Sequence, residues 1–286
     1  MKNMRTRIAA AACAAITAVC GAQAITASAF NYGHPYSGNT QEYCESAYAM
    51  SRNVRMWQTY GSNGSGDWAE GCSWSPSVKA GKMVGRGFTT AHTSNYSTNQ
   101  TLTGPVGWVR TLANSHYGFE AQKAAWMEIP SSYMNGWTSF RQGDQVILKT
   151  GNTTHAVFIT YIDGETFYCS ELRSGKIRWG VQFKVTNYGA GLKRVSGGQQ
   201  YTIQYVARPI KEGDANGDSY VDVTDVDWVG SHSGGGYISG TNRDILMAAA
   251  DYTGNWWLDF DDMYGIMTHI QAGILGGDSR YVMAQW

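Results

Sequence analysis

The feature that most constrains this chain is a twelve-residue pattern that its last quarter contains twice. Both copies, loop one (214–225) and loop two (251–262), place oxygen-bearing side chains at positions 1, 3, 5, 9 and 12. This spacing lets a short loop wrap its oxygen atoms around a hard cation, with position 7 contributing a backbone carbonyl. The sequence therefore predicts two calcium loops, whose ligand positions are Asp214, Asn216, Asp218, Tyr220, Asp222 and Asp225, and Asp251, Thr253, Asn255, Trp257, Asp259 and Asp262.

The two loops are not equivalent. Loop one carries four Asp and one Asn at its side-chain ligand positions, whereas Thr253 and Asn255 leave loop two with three Asp. Fewer charges predict looser binding, so we expect two structural Ca²⁺ ions with the second held more weakly. Neither loop has the usual Gly at position 6, where Ser219 and Trp256 stand. Position 12 is Asp rather than Glu in both, which disfavours an ordinary EF-hand sensor.

A helix is expected to follow each loop. After loop two, apolar residues recur at i, i+3, i+4 and i+7, namely Met263, Ile266, Met267 and Ile270. Two loop-helix units joined by a connector resemble the type I dockerin of bacterial cellulosomes, over about residues 213–273. The resemblance implies a small all-α module at 211–286 with a duplicated calcium loop. It also implies a partner, the cohesin module of a scaffold protein.

In dockerins the residues at loop positions 10 and 11 help to choose the cohesin. Here those residues are Val223 and Thr224 in loop one, and Phe260 and Asp261 in loop two. Because the two pairs differ, the resemblance does not imply docking that is equivalent through either loop.

The first 29 residues have the composition of a secretory signal peptide. A basic start precedes an apolar stretch, and Ala27-Ser28-Ala29 is a small-residue cleavage site. No later stretch has the length of a transmembrane helix, so we expect a secreted, extracellular protein, attached to a cellulosome if the resemblance holds. The overall charge is neutral, but the two parts of the chain have opposite charges. Residues 30–211 include 17 basic and 10 acidic residues, whereas residues 212–286 include 2 basic and 12 acidic residues. The basic part favours an anionic substrate such as cell-wall polymer. We expect no nucleic-acid partner.

Three cysteines remain after the signal peptide, Cys44, Cys72 and Cys169. An odd number leaves at least one thiol without an internal partner. The segment from Asn39 to Trp57 reads as a helix, and Cys44 lies near its beginning, where the macrodipole favours a thiolate. The alternative for Cys44 is a small buried residue in the core.

The second half of 30–210 is rich in predicted strands. A strand over His155 to Tyr161 turns at Asp163-Gly164 into another that reaches Leu172. A three-residue loop ending at Gly164 would pair His155 with Glu171 on one face. A two-residue Asp163-Gly164 loop would place them on opposite faces, so the register decides whether an imidazole–carboxylate pair exists.

A Cys at a helix start, then Gly143-Asp144-x-Val, His155-Ala-Val-Phe-Ile and a Glu on the next strand together resemble the CHAP and NlpC-type branch of papain-like cysteine hydrolases. The resemblance implies an α+β domain over 30–210 with an antiparallel sheet. It implies Cys44 as nucleophile, His155 as general base and acid, and Glu171 as the residue that orients His155. Gln41 could line an oxyanion hole.

These patterns predict a scaffold-attached cysteine hydrolase that cleaves amide bonds, in peptidoglycan peptides or in protein associated with the cell wall. Cys72, in Gly-Cys72-Ser-Trp74, is the rival nucleophile. The alternative of another class is a non-catalytic, aromatic-rich module that binds wall polymer. The tryptophans before Gln142 are core residues by default and would have to line a groove to support that alternative.

Overall fold

The structure, a computed structural model, describes residues 44, 46–61, 66–86, 100–119, 121, 124–233, 249–253 and 257–274. These residues belong to one compact unit, and the predicted domain boundary at residue 210 stays a prediction. The predicted signal peptide, Gln41, Asn39 and Asn255 lie outside the described residues. None of the described helices is long and apolar enough to cross a membrane.

Antiparallel strands dominate the described part of the N-terminal region. The strands are β1 Val78–Lys79, β2 Lys82–Gly85, β3 Thr101–Leu102, β4 Ala125–Pro130, β5 Gln145–Thr150, β6 Thr153–Asp163, β7 Thr166–Arg173, β8 Lys176–Thr186, β9 Gly191–Arg194 and β10 Gln200–Pro209. The order in the main sheet is β2-β4-β10-β5-β6-β7-β8-β9, and β9 also pairs with β10. The six strands from β5 to β10 therefore close into a barrel, which removes their free edges.

Four helices accompany these strands in the described residues. They are α1 Ala47–Tyr60, α2 Gly104–Tyr117, α3 Val223–His232 and α4 Phe260–Ile274. The Ser46 hydroxyl caps α1 by accepting from the Ala49 N–H at 3.1 Å. An extended Ser46 interrupts the helix predicted from Asn39 to Trp57: Cys44 is helical, and α1 begins at Ala47, after the cap. The predicted class, mixed helices and antiparallel strands, describes this architecture, whereas the papain-like arrangement stays a prediction.

The buried residues form two clusters, because successive side chains of a strand point to opposite faces of the sheet. The barrel core contains alternate residues such as Leu148, Val157, Ile159 and Cys169. The outer cluster holds the intervening residues, such as Ala156 and Phe158, together with apolar residues of α1 and α2. Neighbours along a strand therefore point into different clusters, which decides which side chains can meet.

Five of the six tryptophans before Gln142 belong to the outer cluster, and the exception is Trp137, which is 41% exposed. Trp57, for example, stacks on Trp179 at 6.0 Å between ring centroids. These rings therefore fill the core between helices and barrel. They do not form the exposed aromatic groove that a wall-binding module would use.

Candidate functional sites

The β6–β7 hairpin has a different register from either alternative that the sequence offered. Asp163 pairs with Thr166, which leaves a two-residue Gly164-Glu165 loop. An irregularity between Ile159 and Tyr161 then shifts the pairing by one residue, so that Val157 lies opposite Glu171. The expected direct pairing of His155 with Glu171 is therefore wrong. The bulge nevertheless returns both residues to one face, as diagonal neighbours.

His155 and Glu171 form a buried hydrogen-bonded pair. The imidazole Nε2 lies 2.9 Å from Glu171 Oε2, and the two residues are 9% and 0% exposed. The Tyr201 ring stacks on the imidazole at 5.4 Å between centroids. Since Nε2 faces the carboxylate, Nδ1 is the nitrogen left to exchange a proton with another group.

A third member, which sequence reasoning missed, is Arg194. Its Nη2 lies 2.8 Å from Glu171 Oε1, within ion-pair distance but off the direction of a hydrogen bond. The other two guanidinium nitrogens, Nε and Nη1, are buried and have no hydrogen-bond partner in the described part of the chain. No local motif marks Arg194, because only the pairing of β8 with β9 and closure through β10 bring it to Glu171.

The Arg194–Glu171 pair makes Glu171 important for stability. We expect Glu171→Gln to lower the free energy of unfolding by about 3–5 kcal/mol, because Arg194 would keep its buried charge without a counter-charge. Urea unfolding followed by circular dichroism measures this loss. The matched control is Glu70→Gln, which breaks the exposed pair with Arg178 (2.9 Å) and should cost about 1 kcal/mol or less. Equal losses in the two variants would contradict the prediction.

Cys44 does not join His155 and Glu171 in this structure. Cys44 and Ala156 belong to the outer cluster, whereas the neighbours of His155 on its own face, Val157 and Ile159, belong to the barrel core. The sequence predicts one site that contains Cys44, His155 and Glu171, but the structure brings together only His155 and Glu171. The reason is strand alternation, which directs His155 to the face of β6 opposite the helices.

The neighbour of Cys44 is His116. The thiol donates to the His116 carbonyl at 3.5 Å, and His116 Nε2 lies 2.9 Å from the Cys44 carbonyl. His116 Nδ1 lies 2.8 Å from Asn53 Nδ2. Burial lowers the pKa of His116 to about 4, against the opposing effect of the Cys44 carbonyl, so the ring is neutral near pH 7. A fully buried, neutral ring that is hydrogen-bonded to the backbone has the character of a structural residue.

The other two cysteines are also free thiols. Burial, and then the charge of Glu171, raise the pKa of Cys169 well above its usual value, so this residue packs as a neutral thiol in the barrel core. Cys72 is half-buried, and its sulfur lies 3.7 Å from the Gly66 carbonyl. A buried neutral thiol such as Cys169 is not an activated nucleophile.

The two predicted calcium loops share one hydrogen-bond pattern. In loop one, the position-12 carboxylate of Asp225 accepts from the N–H groups of positions 3 and 9, Asn216 at 3.0 Å and Asp222 at 2.8 Å. In loop two, Asp262 accepts from the corresponding N–H groups of Thr253 and Asp259, both at 3.0 Å. The sequence repeat is therefore also a structural repeat.

Loop one concentrates buried negative charge. Asp214 and Asp225 are both 0% exposed. Burial, followed by the charges of Asp225 and Asp218, raises the pKa of Asp214 well above its usual range, and burial raises the pKa of Asp225 to about 7. A bound divalent cation would remove this cost, so the donor set fits Ca²⁺.

In the described residues, no group of three or more His, Cys, Asp or Glu side chains converges closely enough to hold a metal ion. Both Asp225 oxygens and both Asp214 oxygens accept backbone N–H groups in this structure. Calcium therefore stays a prediction that rests on the ligand types and their repeated geometry.

The four predicted cohesin-contact residues are all exposed: Val223, Thr224, Phe260 and Asp261. Trp257 and Phe260 are each 72% exposed and Tyr264 is 66% exposed, so loop two and the start of α4 present more aromatic surface than loop one.

Comparison of the chain with protein-family models, curated proteins and solved structures finds no match.

Proposed function

We propose that residues 211–286 attach this protein to a scaffold through a calcium-dependent, dockerin-type module. The observation that carries this proposal is the shared hydrogen-bond pattern of the two loops, in which position 12 closes each loop onto positions 3 and 9. A duplicated loop of oxygen donors, each followed by a helix, suits calcium binding that fixes the orientation of two helices. In this proposal the protein is extracellular, where calcium is plentiful.

The partner that fits the exposed residues is a cohesin module of a scaffold protein. Phe260 supplies a large apolar side chain and Val223 a smaller one at the equivalent position, and both point to solvent. Exposed aromatic residues are the side chains that most often dominate binding energy when an interface covers them. Docking through loop two is therefore expected to be the stronger mode.

We expect the full-length protein to bind one or more type I cohesins in 2 mM CaCl₂ and to lose that binding in EDTA, because the helices depend on the loops. Native gel shift against a panel of purified cohesin modules measures this. Phe260→Ser should weaken binding by about tenfold or more, and Val223→Ser by less. Tyr161→Ser, at an exposed aromatic residue of the barrel hairpin, is the matched control. Binding that persists in EDTA would overturn the docking proposal.

For the N-terminal region we propose hydrolysis of amide bonds, supported by the buried His155–Glu171 pair. A carboxylate that fixes an imidazole and stabilises its cation is what a general base requires. The Cys44 thiolate would attack the substrate carbonyl carbon, and the C–N bond would break as imidazolium donates its proton to the leaving amine. Water, deprotonated by His155, would then hydrolyse the thioester and release the acid. The substrate would be a peptidoglycan peptide or wall-associated protein.

This chemistry requires the thiol and the imidazole to meet, and in the structure they lie on opposite faces of β6. The segment that carries Cys44 precedes the Ser46 cap and is not part of α1. The proposal therefore requires that segment to be displaced from His116 when substrate binds. Loss of hydrolysis in Cys44→Ala tests it.

A further inference from the structure

Ser219, the unusual residue at position 6 of loop one, has a contact that explains its presence. Its φ of 76° lies in the left-handed region, which is unfavourable for a residue other than glycine. The Ser219 N–H donates to Asp214 Oδ2 at 3.0 Å, a bond that Gly could also make. The hydroxyl, however, donates to the sulfur of Met127 on β4 at 3.4 Å, and Ser219 is 1% exposed. The side chain thus faces the sheet and not solvent.

Arg141 holds the same part of loop one from the barrel side. Its Nη1 donates to the Ser219 carbonyl at 3.0 Å, and its guanidinium lies 4.8 Å from the centroid of the Tyr220 ring. Tyr220 occupies position 7, whose carbonyl is an expected calcium ligand. Arg141 therefore fixes the peptide unit next to that carbonyl.

Arg141 is itself part of a rigid network. Its backbone N–H donates to Asp144 Oδ2 at 2.8 Å. The buried Arg208 on β10 donates to both oxygens of Asp144, at 2.8 and 2.7 Å. A bidentate buried pair of this kind leaves little freedom to the segment it holds. Loop one is therefore attached to a fixed point of the barrel.

Apolar packing also joins the barrel to the residues around loop one. Ile210 and Ala215, which flank the predicted boundary, are buried in the same cluster as the barrel core. Val229 of α3 and Ile266 of α4 belong to that cluster too. A module on a free linker would not share its core with the domain before it.

We propose that loop one is bound to the barrel through Ser219 and Arg141, so that calcium binding at loop one and folding of the barrel stabilise each other. This inference rests on the proposed calcium binding. By linkage, if an ordered barrel favours the calcium-bound loop, calcium must favour the ordered barrel to the same extent. Calcium would then support the His155–Glu171 site from a distance, in addition to its role in docking.

Hydrogen exchange with mass spectrometry on the full-length protein tests the coupling. In 2 mM CaCl₂, amides of β4 (125–130) should exchange about fivefold or more slowly than in EDTA. Arg141→Met removes the contact to the Ser219 carbonyl, and Ser219→Gly removes the contact to Met127 while easing the backbone. Each should reduce the calcium effect on β4 severalfold, and the double variant should add little, because both break one interface.

The matched control is Arg86→Met, which removes a guanidinium 4.4 Å from the centroid of the Tyr133 ring, another Arg–Tyr contact. It should leave the calcium effect on β4 unchanged. Calcium binding is measured separately by isothermal titration calorimetry. Absence of any calcium binding would defeat the proposed function. Calcium binding without protection of β4, or protection unchanged in Arg141→Met, would overturn the coupling alone.

Discussion

Asp225→Ala is expected to weaken calcium binding at loop one by about a hundredfold or more. The substitution removes a buried charged ligand and the carboxylate that closes the loop onto the Asn216 and Asp222 N–H groups. It also breaks the capping box at the start of α3, so the helix loses part of its anchor. Titration calorimetry with CaCl₂, after removal of bound metal by chelator, measures the effect.

Asp262→Ala provides the matched control in loop two. Asp262 makes the same two backbone contacts there. Because loop two has fewer charged ligands, the wild-type protein should show one tighter and one weaker binding event. Asp225→Ala should remove the tighter event and Asp262→Ala the weaker one. Two unchanged events in Asp225→Ala would contradict the assignment of this residue as a ligand.

Cys44→Ala and His155→Ala are each expected to lower hydrolysis by about three orders of magnitude or more, since nucleophile and base act as one unit. Fluorescently labelled peptidoglycan and labelled casein serve as substrates, which also separates the two proposed substrate classes. Mass spectrometry after iodoacetamide treatment measures the reactivity of Cys44 without any substrate.

Cys72→Ala is the control for this series, because Cys72 is a half-buried thiol that the proposal does not use. Its hydrolysis should equal that of the wild type. Full activity in Cys44→Ala would refute the nucleophile. A loss in Cys44→Ala and His116→Ala, with full activity in His155→Ala, would move the base to the neighbour that contacts Cys44 in the structure.

Local sequence patterns are enough to predict some parts of the structure, whereas other parts depend on contacts between distant residues. The spacing of oxygen-bearing residues predicts two corresponding loops, because the repeated residues of each lie within twelve positions, and the two loops share one hydrogen-bond pattern. Calcium in these loops stays a prediction. The apolar stripe from Met263 to Ile270 predicts α4, which runs from Phe260 to Ile274. Both signals are local, so no knowledge of the tertiary fold is needed to read them.

The geometry of the candidate site depends on non-local features. The position of Glu171 relative to His155 is set by a bulge near Thr160, which no residue pattern announces. Arg194 reaches Glu171 only because the sheet closes into a barrel. Cys44 lies away from His155 because the helices cover the other face of β6. The packing of the whole outer cluster determines which face the helices cover. Strand periodicity alone cannot say which face is the inside.

The most direct test of the calcium-dependent docking module is a crystal structure of the full-length protein grown in CaCl₂. We expect an ion in loop one, about 2.3–2.6 Å from oxygens of Asp214, Asn216, Asp218, Asp225 and the Tyr220 carbonyl. Loop one without an ion at saturating calcium, with Asp225 bound only to the N–H groups of Asn216 and Asp222, would contradict it.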